Sequence, residues 1–256
     1  MYFELIDATA DRLADSRRHD TPCDLPLDRI ATEAEAVEIQ NAALDSLGFE
    51  RKGYAISGSS QASRRTLGLT SPIFSPVPAF AYHPSGTTLR LPFGTIGAQC
   101  EIAFTMLRSF PDPGEAIDRT SAADAIMTCQ PSIGIIGHRT SNRHFGDYPA
   151  IADFGLHVAT ITGDHVTVDE VPLLAKLHVD AFLFKNKAVH GSTDSIFEHP
   201  LDAVVWLAVH LAERGHRLEA GDIVTTGSCT TILQVLPGEH MAAAFKTLGQ
   251  VECIFR

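Results

Sequence analysis

A short stretch of the chain that begins at Gly97 carries two oxygen-bearing side chains at a spacing that suits joint chemistry. Polar and apolar residues alternate through Gln99, Cys100, Glu101 and Ile102, as is typical of a β-strand. Gln99 and Glu101 then share one face, about 7 Å apart along the strand. A carboxylate and an amide oxygen so placed could form part of a site for a hard cation. An edge strand with a solvated polar face would show the same pattern.

Three histidines that follow this strand, His138, His144 and His157, widen the choice of chemistry. Because imidazole titrates near neutral pH, His138 is a candidate general acid or base. One or two of the three could instead bind a metal ion together with Glu101, and nitrogen ligands would favour a softer metal such as Zn²⁺. In a chain with 12 histidines, ordinary surface or hydrogen-bonded histidines are the third interpretation.

Groups suited to binding a substrate carboxylate occur at two further places. The guanidinium of Arg139 could hold a carboxylate through two hydrogen bonds, or could form a structural ion pair. Thr226, Gly227 and Ser228 end a predicted strand, and their hydroxyls and backbone amides could bind an anion. An ordinary turn at the end of a strand would have the same composition.

Helices are predicted at the N-terminus and once within the later β-rich region. Residues 2–18 have apolar side chains at helical spacing. A second helix begins near Thr32 with a capping-box sequence and stops at Gly48. A third begins at Pro200, carries one apolar stripe and stops at Gly215.

From residue 88 onward the sequence predicts mainly short strands separated by Gly or Pro turns. The predicted strands cover 88–91, 99–107, 132–136, 156–161, 181–184, 223–226, 232–236 and 250–255. We therefore expect a helical N-terminal arm over residues 1–75 and a β-rich core of catalytic type over residues 76–256.

Composition narrows the classes of partner and compartment. The chain has 256 residues and a net charge of −11 without a basic run, which argues against nucleic acid or an anionic membrane as its partner. Its five cysteines are scattered and show no CxxC spacing, so reduced thiols are expected. The sequence shows neither a secretion signal nor a long apolar run, and we expect a cytoplasmic protein.

The order of motifs resembles the hydratase/decarboxylase branch of the fumarylacetoacetate hydrolase superfamily, which includes 2-oxopent-4-enoate hydratases and 4-oxalocrotonate decarboxylases. The similarity is greatest over residues 199–208 (HPLDAVVWLA) and 221–227 (GDIVTTG); residues 101–104 match the family's central strand, and 35–40 its N-terminal helix. The resemblance covers residues 30–256. It implies an α+β fold: a mixed β-roll with flanking helices and a helical N-terminal arm, assembled as an oligomer.

The resemblance also implies a metal site, which this sequence alters. Active members bind Mg²⁺ or Mn²⁺ through three carboxylates, two from a Glu-x-Glu strand and one from a later strand. Here Gln99 and Glu101 stand at the first two positions and Gly134 at the third. Gln99 and Glu101 are therefore the candidate metal ligands. Since neutral groups compensate poorly for the dehydration of Mg²⁺, metal dependence is expected to be weak, altered or absent.

Other positions that are polar in the family have also changed. Ala55 stands where the family has an active-site lysine, and Ile73 where it has an acidic residue. Asp153 is retained, but the asparagine that follows it in the family is replaced by Phe154.

Two hypotheses follow. The first is a divergent hydratase- or decarboxylase-like lyase acting on a small 2-oxo (enol) acid, with Glu101 as base or ligand and His138 as acid/base. Arg139 and residues 226–228 would then bind the substrate carboxylate. The alternative is a catalytically inactive paralogue that binds a small molecule or serves as a partner subunit. The expected assembly is a homo-oligomer, or a hetero-oligomer with an active relative.

Overall fold

The computed structural model describes residues 3–141, 146–167, 174–183 and 187–256, together with their side chains except those of residues 3, 4, 187 and 188. The helices in these ranges are α1 (Phe3–His19), α2 (Glu33–Leu47), α3 (Gln61–Leu67), α4 (Arg119–Asp124), α5 (Asp147–Ala152) and α6 (Pro200–Glu213). The strands are β1 (Arg51–Ser57), β2 (Ile73–Pro78), β3 (Tyr82–Pro84), β4 (Thr87–Leu89), β5 (Thr95–Met106), β6 (Ile126–Gly137), β7 (His157–Thr162), β8 (Val166–Thr167), β9 (His178–Leu183), β10 (Lys187–Ser192), β11 (Ile223–Thr225), β12 (His240–Phe245) and β13 (Gly249–Phe255).

The strands form two mixed sheets. The larger has the order β2-β1-β11-β5-β6-β7-β3, with β8 paired to β6, and the smaller has the order β10-β9-β12-β13-β4. Most neighbouring strands are antiparallel, but β1 and β11, β3 and β7, and β4 and β13 run parallel. The predicted α+β architecture of mixed sheets with flanking helices is confirmed.

The two N-terminal helices form as their end signals predict. The Thr32 side chain accepts a hydrogen bond from the Glu35 N–H at 3.2 Å and so caps α2. Gly48 ends the helix in the left-handed conformation at φ 61°, where its N–H bonds to the Leu44 and Asp45 carbonyls. Apolar side chains of both helices, including Leu13 and Ile39, are fully buried in a shared cluster.

Helix α6 also agrees with its prediction. Pro200 occupies the first turn, and the His199 side chain accepts a hydrogen bond from the Leu201 N–H at 3.0 Å. Most of the predicted apolar stripe is buried, including Leu201, Val204 and Leu211, whereas Ala212 near its end is exposed. The helix ends at Glu213, shortly before Gly215.

The alternation predicted for β5 separates an apolar face from a polar one. Cys100, Ile102 and Phe104 are fully buried in the main apolar cluster, which also contains Val179 and Met241 of the smaller sheet. This cluster lies on one face of the larger sheet. Gln99 and Glu101 therefore belong to the opposite face.

The sequence pattern misplaced several elements. A strand over 232–236 is wrong: in this part of the structure Leu233 forms an isolated bridge to Ala98, and the chain then continues to a turn at Gly238 beside the smaller sheet. Strand β2, which contains Pro76 and Pro78, was not among the predicted strands. It lies at a sheet edge, where proline is tolerated.

The proposed division at residue 75 stays a prediction. Strands β1 and β2, which begin before that boundary, both pair within the larger sheet. All five cysteines are buried as thiols. Within the described ranges, none of the helices combines the length and apolar character needed to cross a membrane.

Candidate active site

Glu101 lies at the centre of the larger sheet, because β5 runs between β11 and β6. Its side chain and that of Gln99 are buried, with exposed fractions of 3% and 1%. The Gln99 amide donates a hydrogen bond from Nε2 to Glu101 Oε1 at 2.5 Å. The interpretation as a solvated edge strand is therefore wrong, and these two polar groups share an interior face.

Several polar atoms on this face lack hydrogen-bond partners among the described residues. They are Glu101 Oε2, Gln99 Oε1, Ser132 Oγ and Thr225 Oγ1. Ser132 is paired directly with Glu101 across β5 and β6, and Thr225 is paired with Ala103, the next residue on the same face of β5. Because buried polar groups usually find partners, such a cluster is typical of a site that receives a polar ligand.

Burial dominates the ionisation of Glu101. Removal of the carboxylate from water raises its pKa to about 7, although the Gln99 amide and the nearby Thr225 hydroxyl oppose the rise. At neutral pH the group is thus populated in both its protonated and its ionised form. A carboxyl group with this pKa is suited to take up and return a proton.

Gly134 leaves the space that this carboxylate occupies. It is paired with Gln99 across β5 and β6. A Cβ atom built on Gly134 would overlap the Glu101 carboxylate, so any side chain here would force Glu101 to move. The Glu101 carboxylate thus occupies the space above the position at which the resemblance predicts a third ligand.

The donor set does not fit the metal site expected from the family. Among the residues of β1, β5, β6 and β11 that are paired on this face, Glu101 is the single carboxylate, and one of its oxygens accepts from the Gln99 amide. The remaining oxygens belong to neutral amide and hydroxyl groups. Mg²⁺ and Mn²⁺ prefer anionic oxygen ligands, so the metal role predicted for Gln99 and Glu101 finds no further support from the arrangement.

The other altered family positions lie around the same face. Ala55 of β1 is paired with Thr225, one row from Glu101. Ile73 and Phe154 are buried in the apolar cluster formed with the N-terminal helices. Apolar side chains thus occupy the positions at which the resemblance predicts polar ones.

Arg139 is engaged in a buried ion pair. Its backbone N–H donates to Asp153 Oδ2 at 2.7 Å, and its guanidinium lies 3.2 Å from Oδ1 of the same residue. The guanidinium also donates to the carbonyls of Gly137 and His157. This is the structural alternative considered for Arg139, and its role in binding substrate stays a prediction.

A second arginine, Arg17 of α1, packs against the same cluster. Arg17 and Arg139 lie over the Phe154 ring, with guanidinium carbons 4.6 and 5.3 Å from its centroid. Arg17 also lies 3.3 Å from Nδ1 of His157, whose Nε2 contacts the Thr160 hydroxyl at 2.9 Å. Burial and the two nearby arginines lower the pKa of His157 well below its usual range, which favours a neutral ring.

His138 lies away from Glu101. It follows the end of β6, six residues beyond Ser132, which corresponds to roughly 20 Å along an extended strand. Its Nδ1 donates to the Thr140 carbonyl at 2.8 Å, and its ring meets Phe93 edge to face beside a cavity of about 90 Å³. The structure therefore does not bring His138 and Glu101 together, and the acid/base role of His138 stays a prediction. His144 lies outside the described residues.

The segment 226–228 lies at the carboxyl end of β11. The Thr226 hydroxyl accepts from the Ile102 N–H at 3.1 Å, and the Ser228 hydroxyl donates to the Thr230 carbonyl at 2.5 Å. Gly227 approaches Ser59 so closely that a Cβ would overlap the Ser59 hydroxyl. That hydroxyl is buried and has no hydrogen-bond partner among the described side chains and backbone. Within residues 226–228, Gly227 is thus the residue that lies next to a hydroxyl without a hydrogen-bond partner, that of Ser59.

Sequence reasoning did not single out Ser59, Ser132 or Tyr82 as site residues. Ser132 and Gly134 alternate with Ile133 and Ile135, which is the signal that could have marked a face of small residues.

Tyr82 is paired with Thr160 on this side of the sheet, and burial, with a contribution from Glu101, raises its pKa. No local pattern marks Tyr82, because β3 is only three residues long.

Comparisons with known proteins show which proteins the chain resembles in sequence and fold. No protein-family model matches the chain. It is 31% identical over 160 residues to the 4-oxalocrotonate decarboxylase of Pseudomonas putida, an alignment that spans 61% of this chain and 59% of that enzyme. It is 27% identical over 232 residues to the 4-oxalocrotonate decarboxylase of Pseudomonas sp. strain CF600, which covers 88% of this chain and 86% of that enzyme.

The fold has a solved counterpart of nearly the same extent. The 4-oxalocrotonate decarboxylase of Pseudomonas putida G7, complexed with magnesium and adipate, superposes with a TM-score of 0.89 at 23% identity, covering 100% of this chain and 99% of that one. The resemblance to the hydratase/decarboxylase branch of the fumarylacetoacetate hydrolase superfamily is confirmed. The fumarylacetoacetate-hydrolase-like fold is confirmed with it.

Proposed function

We propose that this protein is a lyase of the hydratase or decarboxylase type that acts on a small 2-oxo acid or its enol, with weak, altered or absent metal dependence. Glu101 is its proton-transfer group. The buried carboxyl with a pKa of about 7, surrounded by unpartnered polar atoms, is the observation that carries this proposal. The activities of the similar enzymes provide the reaction class.

Proton transfer at Glu101 would work as follows. The ionised carboxylate accepts the proton of the substrate's enol hydroxyl as the keto form develops. The protonated carboxyl then returns a proton to carbon. Gln99 donates a hydrogen bond to Oε1 and leaves Oε2 available for the substrate. Because the site is buried, water competes little for these groups.

The substrate carboxylate would lie where the parallel strands β1 and β11 end. Ala55 is paired with Thr225, so Ser59 and Gly227 both lie beyond the same row. A hydroxyl without a partner and a close backbone approach are suited to an anion. Arg139 contributes through the positive charge around Phe154 rather than through free donors, because Asp153 and two carbonyls already accept from its guanidinium.

A second candidate function is that of an inactive paralogue, which binds a small molecule or partners an active relative. The apolar residues Ile73 and Phe154 at polar family positions favour it. So does the Glu101 carboxylate above Gly134, which leaves the three-carboxylate set incomplete. This candidate predicts ligand binding or co-assembly without turnover.

Turnover in the absence of metal separates the two candidates. Purified protein treated with EDTA would be assayed with 2-keto-4-pentenoate and 4-oxalocrotonate, with and without added Mg²⁺ or Mn²⁺. We expect turnover in EDTA, and a loss of roughly 100-fold or more in Glu101→Gln, which is the size of a general acid/base contribution. The exposed Glu38→Gln variant is the matched control and should behave as the wild type.

Three outcomes would each overturn a part of the enzyme proposal. Turnover that survives in Glu101→Gln would remove the proton-transfer role of Glu101. The absence of turnover with either substrate, combined with saturable binding of a 2-oxo acid to the wild type, would favour the inactive paralogue. Turnover that appears only with Mg²⁺ or Mn²⁺ would contradict the altered metal dependence.

A further inference from the structure

The outer surface of the smaller sheet carries a cluster of three metal-ligating side chains, far in the topology from Glu101. His178 and Asp180 are two residues apart on β9, and His190 on β10 is paired directly with Asp180. Residues two apart on a strand, and residues paired across neighbouring strands, point to the same side of a sheet. The hairpin register therefore brings two imidazoles and one carboxylate to a single place.

The ligand atoms already lie close to coordination spacing. Asp180 Oδ1 is 3.0 Å from His178 Nε2 and 2.5 Å from His190 Nδ1. One nitrogen or oxygen atom from each residue lies within 4.8 Å of the others. Ligand bonds of about 2.0–2.1 Å in a tetrahedral zinc site place neighbouring ligand atoms about 3.3 Å apart. Small rotations of exposed side chains are sufficient to reach that geometry.

The orientation of the rings and the charge of the carboxylate both suit a cation. The two imidazoles are stacked, with centroids 5.7 Å apart and planes inclined by 16°, so their nitrogen edges converge on the carboxylate. Asp180 supplies the oxygen of a carboxylate and the two histidines supply ring nitrogens, which together are a common ligand set for a transition metal.

We propose that His178, Asp180 and His190 bind one Zn²⁺ ion at the surface of the β9–β10 hairpin. Imidazole nitrogen together with one carboxylate favours zinc and other late transition metals over Mg²⁺. Three protein ligands leave a position for water, because the side chains are open to solvent. The ion would join β10, an edge strand of the smaller sheet, to β9. This site is independent of the proposed lyase function.

The same sheet provides a matched control. His240 and Glu252 form a surface pair with Nε2 and Oε2 3.0 Å apart on β12 and β13. This pair has the same chemistry and a similar exposure, but it belongs to no cluster of three ligands among the described residues. Removal of His240 should leave high-affinity zinc binding intact.

Zinc titration of metal-free protein tests the proposal. Calorimetry with Zn²⁺, and absorption spectroscopy with Co²⁺ as a coloured substitute, would be applied to the wild type, His178→Ala, His190→Ala, Asp180→Asn, His240→Ala and Glu101→Gln. We expect one equivalent of Zn²⁺ in the wild type, His240→Ala and Glu101→Gln. Each ligand variant should bind at least tenfold more weakly, since even changes outside the ligand shell cost roughly 10- to 100-fold.

Circular dichroism would establish that the variants are folded, which is expected because the substituted side chains lie at the surface. Equal zinc affinity in the wild type and all three ligand variants would overturn the proposal. So would a stoichiometric site that is lost in Glu101→Gln and retained in His190→Ala. Neither result depends on an activity assay, so failure here is distinguishable from failure of the lyase proposal.

Discussion

At the residue scale, the raised pKa of Glu101 affects both proton transfer and the stability of the folded protein. The folded protein holds the proton more tightly than the unfolded chain does, because burial raises the pKa of this carboxyl to about 7. Above that pH the protein has to keep a buried negative charge, which the Gln99 amide and the nearby Thr225 hydroxyl stabilise only in part. The property that suits proton transfer therefore reduces stability at alkaline pH.

We predict that the contribution of Glu101 to the free energy of unfolding falls as pH rises from about 4.5 to 7, by roughly 3 kcal/mol, and then levels off. The sign follows from the raised pKa: the contribution is fully present below the unfolded-state pKa and is lost as pH passes through the folded-state value. Denaturant titration at several pH values would measure the change. Glu101→Gln, which keeps the shape without the titrating proton, should lack this component; an identical pH profile in that variant would contradict the assignment.

At the element scale, the contact between α1, β6 and the segment after α5 depends on one carboxylate. Arg17 and Arg139 both pack on Phe154, and Asp153 is the carboxylate that faces them. The pKa of Arg17 is lowered by burial and by the charge of Arg139, and Asp153 opposes that effect. Removal of the carboxylate would leave two neighbouring buried cations.

Asp153→Asn should therefore destabilise the protein by about 3–5 kcal/mol, as expected when one partner of a buried ion pair is lost. Asp202→Asn is the control, because Asp202 forms an ion pair with the more exposed Arg119 and should cost less than about 1 kcal/mol. Urea unfolding of both variants at pH 7 would compare them. Similar losses of unfolding free energy in the two variants would mean that the buried ion pair stabilises the protein no more than the exposed one.

The sequence predicted those helices and strands whose ends or faces are determined by residues within or next to the element. The caps at Thr32 and Gly48 and the alternation in β5 reflect interactions within or beside the element, so they can be identified along the chain. Strand β2 depends on its place at a sheet edge, which residue order alone does not reveal. The partners of Arg139 were equally inaccessible, because the ion pair with Asp153 is set by packing.

At the scale of the whole molecule, the two sheets have the fumarylacetoacetate-hydrolase-like fold, and the strand pairing decides which positions can share a site. Positions 99, 101 and 134 meet on one face of the larger sheet, as the pairing of β5 with β6 requires. Carboxylates introduced at positions 99 and 134 should therefore lie beside Glu101. The resemblance predicted carboxylates at these positions in active members, but it could not show that Glu101 would occupy the space above Gly134.

The double variant Gln99→Glu/Gly134→Glu should bind Mn²⁺ at least tenfold more tightly than the wild type, since it supplies three carboxylates to a hard cation. Calorimetry with Mn²⁺ on the folded variant would measure this, and addition of Glu101→Gln to the pair should remove most of the gain. An affinity no higher than that of the wild type would show that the scaffold itself no longer accommodates the ion.

The overlap between the Glu101 carboxylate and the space above Gly134 also makes the effects of new carboxylates at positions 99 and 134 depend on each other. A glutamate placed at position 134 alone would force Glu101 from its place before a second anionic ligand exists at position 99. A glutamate placed at position 99 alone would replace the amide that donates to Glu101 with a second buried carboxylate. Each single substitution is therefore expected to destabilise the protein, whereas the pair completes an anionic ligand set, so the two effects should be strongly non-additive.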